Sequence, residues 1–101
     1  MEKGTPHTRL HIVKQMVTDG KIKITSSAIA GAIELGFAVP PFDEMCTVIL
    51  SLTMTDFFKS MTAYADHTIW HDVYRPLWNG QRIYLKLIVS NDVLIVSFKE
   101  R

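Results

Sequence analysis

The chain has 101 residues, 48% of them hydrophobic and 21% charged, with a formal net charge of +1. That composition excludes wholesale disorder, and the length is that of one domain with one core, so residues 1–101 are expected to form a single domain. Cys46 is the single cysteine, which excludes an intrachain disulfide and a Cys-rich zinc cluster. The first residues hold no apolar leader core, and no apolar run reaches the ~20 residues of a membrane span, so a reducing cytoplasm and no membrane contact are expected.

Charge is unevenly spread. Residues 1–25 carry Lys3, Arg9, Lys14, Lys21 and Lys23 against Glu2 and Asp19. Residues 26–67 carry five acids against Lys59 alone. Residues 68–101 carry Arg75, Arg82, Lys86, Lys99 and Arg101 against Asp72, Asp92 and Glu100. Two basic ends flank an acidic middle, and ends that met in space would form a surface able to hold phosphates. Mixed, solvated helix and strand faces give the same pattern.

Taken in chain order, Thr5-Pro6 reads as a helix start, with Leu10, Val13, Met16 and Val17 at helical spacing and Gly20 as a left-handed stop. Lys21–Thr25 alternates and predicts a short strand. Thr25 or Ser26 caps a second helix through Ala28, Ile29, Ala32 and Ile33, ended by Gly36. Val39-Pro40-Pro41 is a stiff connector, and Asp43 is the expected N-cap of a third helix bearing Met45, Val48, Ile49 and Leu52. Phe57, Phe58, Met61, Tyr64 and Ala65 predict a fourth helix with Lys59 opposite its apolar face. The period then changes. Residues 69–75 alternate, Asn79-Gly80 is a turn signal, and 82–89 and 93–99 read as strands joined by Ser90-Asn91-Asp92. The expectation is an α+β fold: N-terminal helices packed on a C-terminal antiparallel β-sheet.

Candidate chemistry is sparse. His7 and His11 stand four apart, as do His67 and His71, but the glutamate of a metalloprotease motif is absent and no third ligand follows, so no metal and no cofactor are expected. The glycines form no phosphate loop. Cys46 on an apolar helix face reads as a structural thiol. What remains is a polar set near the terminal sheet: His71, Arg75, Tyr84, Lys86 and Lys99, with Lys59 as a sixth member. Cations, a phenol and an imidazole meet the needs of metal-free RNA cleavage: a proton acceptor for the 2′-OH, a donor for the leaving 5′ oxygen, and cations for the phosphorane. A wet sheet face carries the same residue types without any catalysis.

Long runs, in order along the whole chain, carry a resemblance: Met1-Glu2-Lys3, Thr5–Leu10, Asp56-Phe57, Lys59–Thr62, Asp66–Trp70, Asp72–Pro76, Tyr84-Leu85-Lys86 and Asp92–Glu100. With these the sequence resembles the motility quorum-sensing regulator (MqsR) toxin family, within the RelE-like mRNA interferase superfamily. The resemblance implies a toxin of a type II toxin–antitoxin system, a sequence-specific endoribonuclease that cuts mRNA at GC-containing sites without metal or ribosome and arrests growth. It implies a cognate antitoxin with a zinc-binding domain and a helix-turn-helix domain, through which alone the toxin meets DNA. The family's catalytic set maps onto Lys59, Tyr84 and Lys99. At the fourth position, His71, a relative carries Gln; glutamine orients and donates, whereas histidine can also move a proton. Arg75 and Lys86 are the expected RNA-backbone contacts. The rival class is a non-catalytic module that docks a protein or DNA.

Overall fold

Alternation over residues 81–100 sets the centre of the molecule. In the computed structural model, which describes residues 1–101, the chain runs β1 (Glu2–Lys3), α1 (Leu10–Thr18), β2 (Ile22–Ile24), α2 (Ser26–Glu34), α3 (Phe42–Ser51), a 3-10 turn (Met54–Asp56), β3 (Phe57–Thr62), β4 (Trp70–Tyr74), β5 (Leu77–Trp78), β6 (Gln81–Val89) and β7 (Val93–Glu100). The expected meander is present as β4–β6–β7. It is the middle of a larger sheet of order β1–β3–β4–β6–β7–β2, antiparallel except where β2 runs parallel to β7. The β5–β6 hairpin turns at Asn79-Gly80, both with positive φ, as its tight reversal demands.

All three helices lie on one face of this sheet. Val13, Val17, Ala28, Ala32, Met45, Val48 and Ile49 pack in one cluster with Ile83, Leu85, Leu87, Val93, Ile95 and Phe98. Helix α2 sits so close to β7 that a Cβ on Gly31 would stand 1.9 Å from the Phe98 carbonyl oxygen; only glycine permits that approach. Thr25 caps α2 by accepting the Ala28 N–H at 3.1 Å.

Three expectations need correction. Residues 57–65 are not a fourth helix but strand β3 followed by a loop. The helical spacing is an accident. A register shift between Phe57 and Lys59 sets two phenylalanines side by side, while Tyr64 is fully exposed and belongs to the loop. Helix α1 starts at Leu10, not at Thr5-Pro6. The N–H groups of His7 and Thr8 donate to the Asp72 carboxylate at 2.9 and 3.0 Å, so this stretch is tied to β4 instead of coiling. Asp43 is not the N-cap of α3; the helix begins at Phe42, and Asp43 and Glu44 lie in its first turn, where the dipole favours acids.

A second register shift, between Lys86 and Leu87, pairs Lys86 with Ser97 and Leu87 with Ile95, leaving Val96 without a partner. It reverses the phase of β7. Val93 and Ile95 point to the helices before it, and Phe98 does so after it, so Lys99 faces away.

Candidate active site

The face without helices collects the polar side chains. Cross-strand partners share a face, so the register assigns them directly. Lys59 pairs with Val73, Val73 with Lys86 and Lys86 with Ser97, forming one row across β3, β4, β6 and β7. In the next row Tyr84 pairs with Lys99, and Arg75 follows the Tyr74–Leu85 pair to lie beside Tyr84. On the other side Met61 pairs with Glu2 and with His71. All six residues selected from the sequence therefore occupy one open face. Val73, in its middle, is fully buried yet stands outside the helix-side core cluster, so the side chains around it close over the centre of this face.

The electrostatics follow from that crowding. The Lys99 ammonium lies 5.6 Å from the Tyr84 ring centroid, a cation–π distance. Burial, together with the charge of Lys99, lowers the Lys86 pKa. Burial and then Lys86 push His71 below the ordinary imidazole range, with Asp72 opposing weakly, so the ring is neutral at pH 7. Lys59 is ion-paired with Glu2, whose carboxyl it holds below the usual range through their hydrogen bond and charge.

Asp72 organises the edge from beneath. It is buried, and besides the two backbone donors it accepts the Ser60 hydroxyl at 2.6 Å. The segment so pinned lays His7 on Trp70, with ring centroids 5.5 Å apart, and sets the Lys3 ammonium 4.1 Å from the Trp70 centroid. This anchorage positions β1 and hence Glu2 beside Lys59. Nowhere do three His, Cys, Asp or Glu side chains converge as metal ligands. The Cys46 thiol, half-buried against the core, has its pKa raised by burial and by Asp43.

Sequence reasoning did not select Glu2, Phe58, Arg82 or Arg101 as site residues. The strict alternation that puts Arg82 in phase with Tyr84 and Lys86 is signal enough for the first arginine. Glu2, Phe58 and Arg101 carry no local signal, because only the sheet order brings them to the face. Phe58 lies under the Arg75 guanidinium at 4.1 Å.

A family model described as "Motility quorum-sensing regulator, toxin of MqsA" matches residues 5–100. The mRNA interferase toxin MqsR of Escherichia coli (strain K12) is 56% identical over 101 residues, with the whole of both chains covered. No helix is long and apolar enough to cross a membrane.

Proposed function

We infer, for a chain that belongs to the MqsR toxin family, that it is the toxin of a toxin–antitoxin pair and an mRNA interferase, cutting RNA on the open face of its sheet. The observation that carries this reading is the convergence, on one helix-free face, of Lys59, His71, Tyr84 and Lys99, with Arg75 and Lys86 beside them. These groups suffice for chemistry without a metal. Lys59 and Lys99 hold the scissile phosphate and offset the charge that builds on its oxygens. The 2′ oxygen attacks phosphorus as its proton passes to water. The bond from phosphorus to the 5′ oxygen breaks, and Tyr84 gives that oxygen a proton. The products are a 2′,3′-cyclic phosphate and a 5′-hydroxyl. His71, neutral at pH 7, orients the substrate by hydrogen bonding. In the free protein Glu2 occupies the Lys59 ammonium, so a phosphate must displace or share with that carboxylate. The wider reading is GC-containing cleavage sites, ribosome independence, growth arrest, action in the cytoplasm, and neutralisation by a zinc-binding helix-turn-helix antitoxin that provides the sole link to DNA.

The test is incubation of the purified protein with a defined RNA in excess EDTA, with the new ends identified chemically. Cleavage with cyclic-phosphate and 5′-hydroxyl ends is expected. Activity that vanishes in EDTA and returns with added Mg²⁺ or Zn²⁺ would overturn the metal-free mechanism.

A further inference from the structure

The edge of the open face holds a second cationic feature that the chemistry above does not use. Thr55, Asp56, Phe57, Phe58, Arg75, Arg82 and Arg101 line a cleft of about 270 Å³, room for a phosphodiester with its water shell. Three guanidinium groups share it, and none has a salt-bridge partner; the ion pairs of the protein are Lys23–Asp92 and Lys59–Glu2. The carboxylate on the cleft wall, Asp56, is turned back to accept the Thr53 N–H at 2.8 Å and its hydroxyl at 3.4 Å.

The guanidinium groups of Arg75 and Arg82 are held in place, and Arg101 is tied through its main chain. The Arg75 N–H donates to the Asp56 carbonyl at 2.7 Å, and its guanidinium stacks on Phe58. Arg82 donates from Nη1 to the Arg75 carbonyl at 3.0 Å, and the Arg101 N–H donates to the Arg82 carbonyl at 3.1 Å. Burial, then the charges of Arg101 and Arg82, lower the Arg75 pKa. Like charges gathered in a concavity and paired with no carboxylate form a site that an anion completes.

Its place relative to the proposed cleavage site is defined by the strands. Arg82 precedes Tyr84 by two residues on β6, and Arg101, one residue past β7, follows Lys99 by two. Two residues of strand span ~6.7 Å, close to the spacing of neighbouring phosphates on a single nucleic acid strand. The row Lys86–Ser97, the row Tyr84–Lys99 and the arginine cleft thus succeed one another along the β6–β7 ribbon.

We propose that the Arg75–Arg82–Arg101 cleft binds an RNA backbone phosphate flanking the scissile one, so that the strand runs along β6 and β7. This rests on the reading of the face as an RNA-cleaving site, and it adds the direction of the strand and a subsite. The cleft contributes to substrate binding equally before and during the reaction, so its loss raises KM rather than lowering kcat.

The experiment compares wild type with Arg82→Gln/Arg101→Gln, both exposed side chains, and with Arg82→Lys/Arg101→Lys. Binding is measured on a fully 2′-O-methylated, uncleavable RNA across a salt series, and cleavage on an RNA trimmed from either end. The glutamine variant is expected to bind on the order of tenfold more weakly, with a log–log salt slope shallower by about 0.7 for one lost phosphate contact. The lysine variant, which keeps the charge, is expected to retain the wild-type slope. Trimming one flank, and not the other, brings wild-type KM to the variant's value. Equal affinity and slope in wild type and glutamine variant, or a deficit of constant ratio on every trimmed RNA, would overturn the proposal. Inorganic phosphate that competes at the cleft while RNA affinity ignores both substitutions would mark a free-anion site and also overturn it. Wild-type protein that binds the methylated RNA but cuts none defeats the enzymatic reading and leaves the cleft to the binding comparison. Melting curves that match wild type establish that the variants are folded.

Discussion

The two faces of the sheet are made by the same strands and differ residue by residue. On β6, Ile83, Leu85 and Leu87 are buried under the helices, while Tyr84 and Lys86 between them are half-exposed. On the helix side burial decides: side chains interlock, and a change of shape is felt as stability. On the open side charge decides: burial and then neighbouring cations set Lys86 and Arg75 below their ordinary pKa values, a configuration that serves an anionic ligand better than it serves folding. The two faces should therefore separate stability from activity.

The largest effect that would sharpen this contrast comes from the open face. Lys59→Ala and Lys99→Ala are each expected to lower cleavage on the order of 10²-fold or more, with melting within about ±0.5 kcal/mol of wild type at exposed Lys99. Alanine variants that cut at wild-type rates would break the assignment. On the helix face the reverse is expected. Gly31→Ala forces a methyl against the Phe98 carbonyl and should cost about 3 kcal/mol in denaturant unfolding. Because Lys99 follows Phe98, some activity should be lost even in the folded fraction.

Asp72 joins the faces, since it lies under the helix-side edge yet fixes the segment that carries Glu2. Asp72→Ala leaves two backbone N–H groups without their acceptor and the Ser60 hydroxyl with only its longer contact to the His71 carbonyl at 3.3 Å, and should cost about 1.5–3 kcal/mol. Hydrogen exchange should quicken first in residues 2–9, which it holds to β4.

His71 tests the field of the open face. Its folded pKa lies below the ordinary ~6.5. Between those two values the unfolded chain binds more protons than the folded one. Stability therefore rises with pH through that window, and the contribution is lost as pH falls below ~6.5. An NMR titration of the ring should give a midpoint under 6.5, moving upward in Lys86→Gln; a midpoint above 6.5 would contradict the crowding described here. His71→Gln should keep most cleavage activity with an unaltered pH–rate profile near neutrality. The smallest effect is expected at Tyr74, a buried residue whose hydroxyl has no hydrogen-bond partner and whose pKa burial drives upward. Tyr74→Phe removes an unsatisfied polar group and should be neutral or stabilising by up to about 1 kcal/mol in thermal unfolding.

Residue patterns alone determined the α+β class, helices α1 to α3, the β4–β6–β7 meander, and Tyr84 and Lys86 as outward-facing neighbours. Each is a matter of local period, capping chemistry or turn residues, and local rules act within a few positions of the chain. The family resemblance, carried by long ordered runs, supplied Lys59, Tyr84 and Lys99 as a set. Tertiary structure alone decided the rest. The Phe57–Thr62 stretch became a strand because β1 and β4 offered it partners on both edges, which outweighs a helical spacing of aromatics. The bulge at Val96 determined which way Lys99 points, because one extra residue inverts every later side chain. Glu2 reached Lys59, and Arg101 reached Arg75, across separations of 57 and 26 residues. No periodicity spans such gaps; only the order of strands in the sheet brings these charges together.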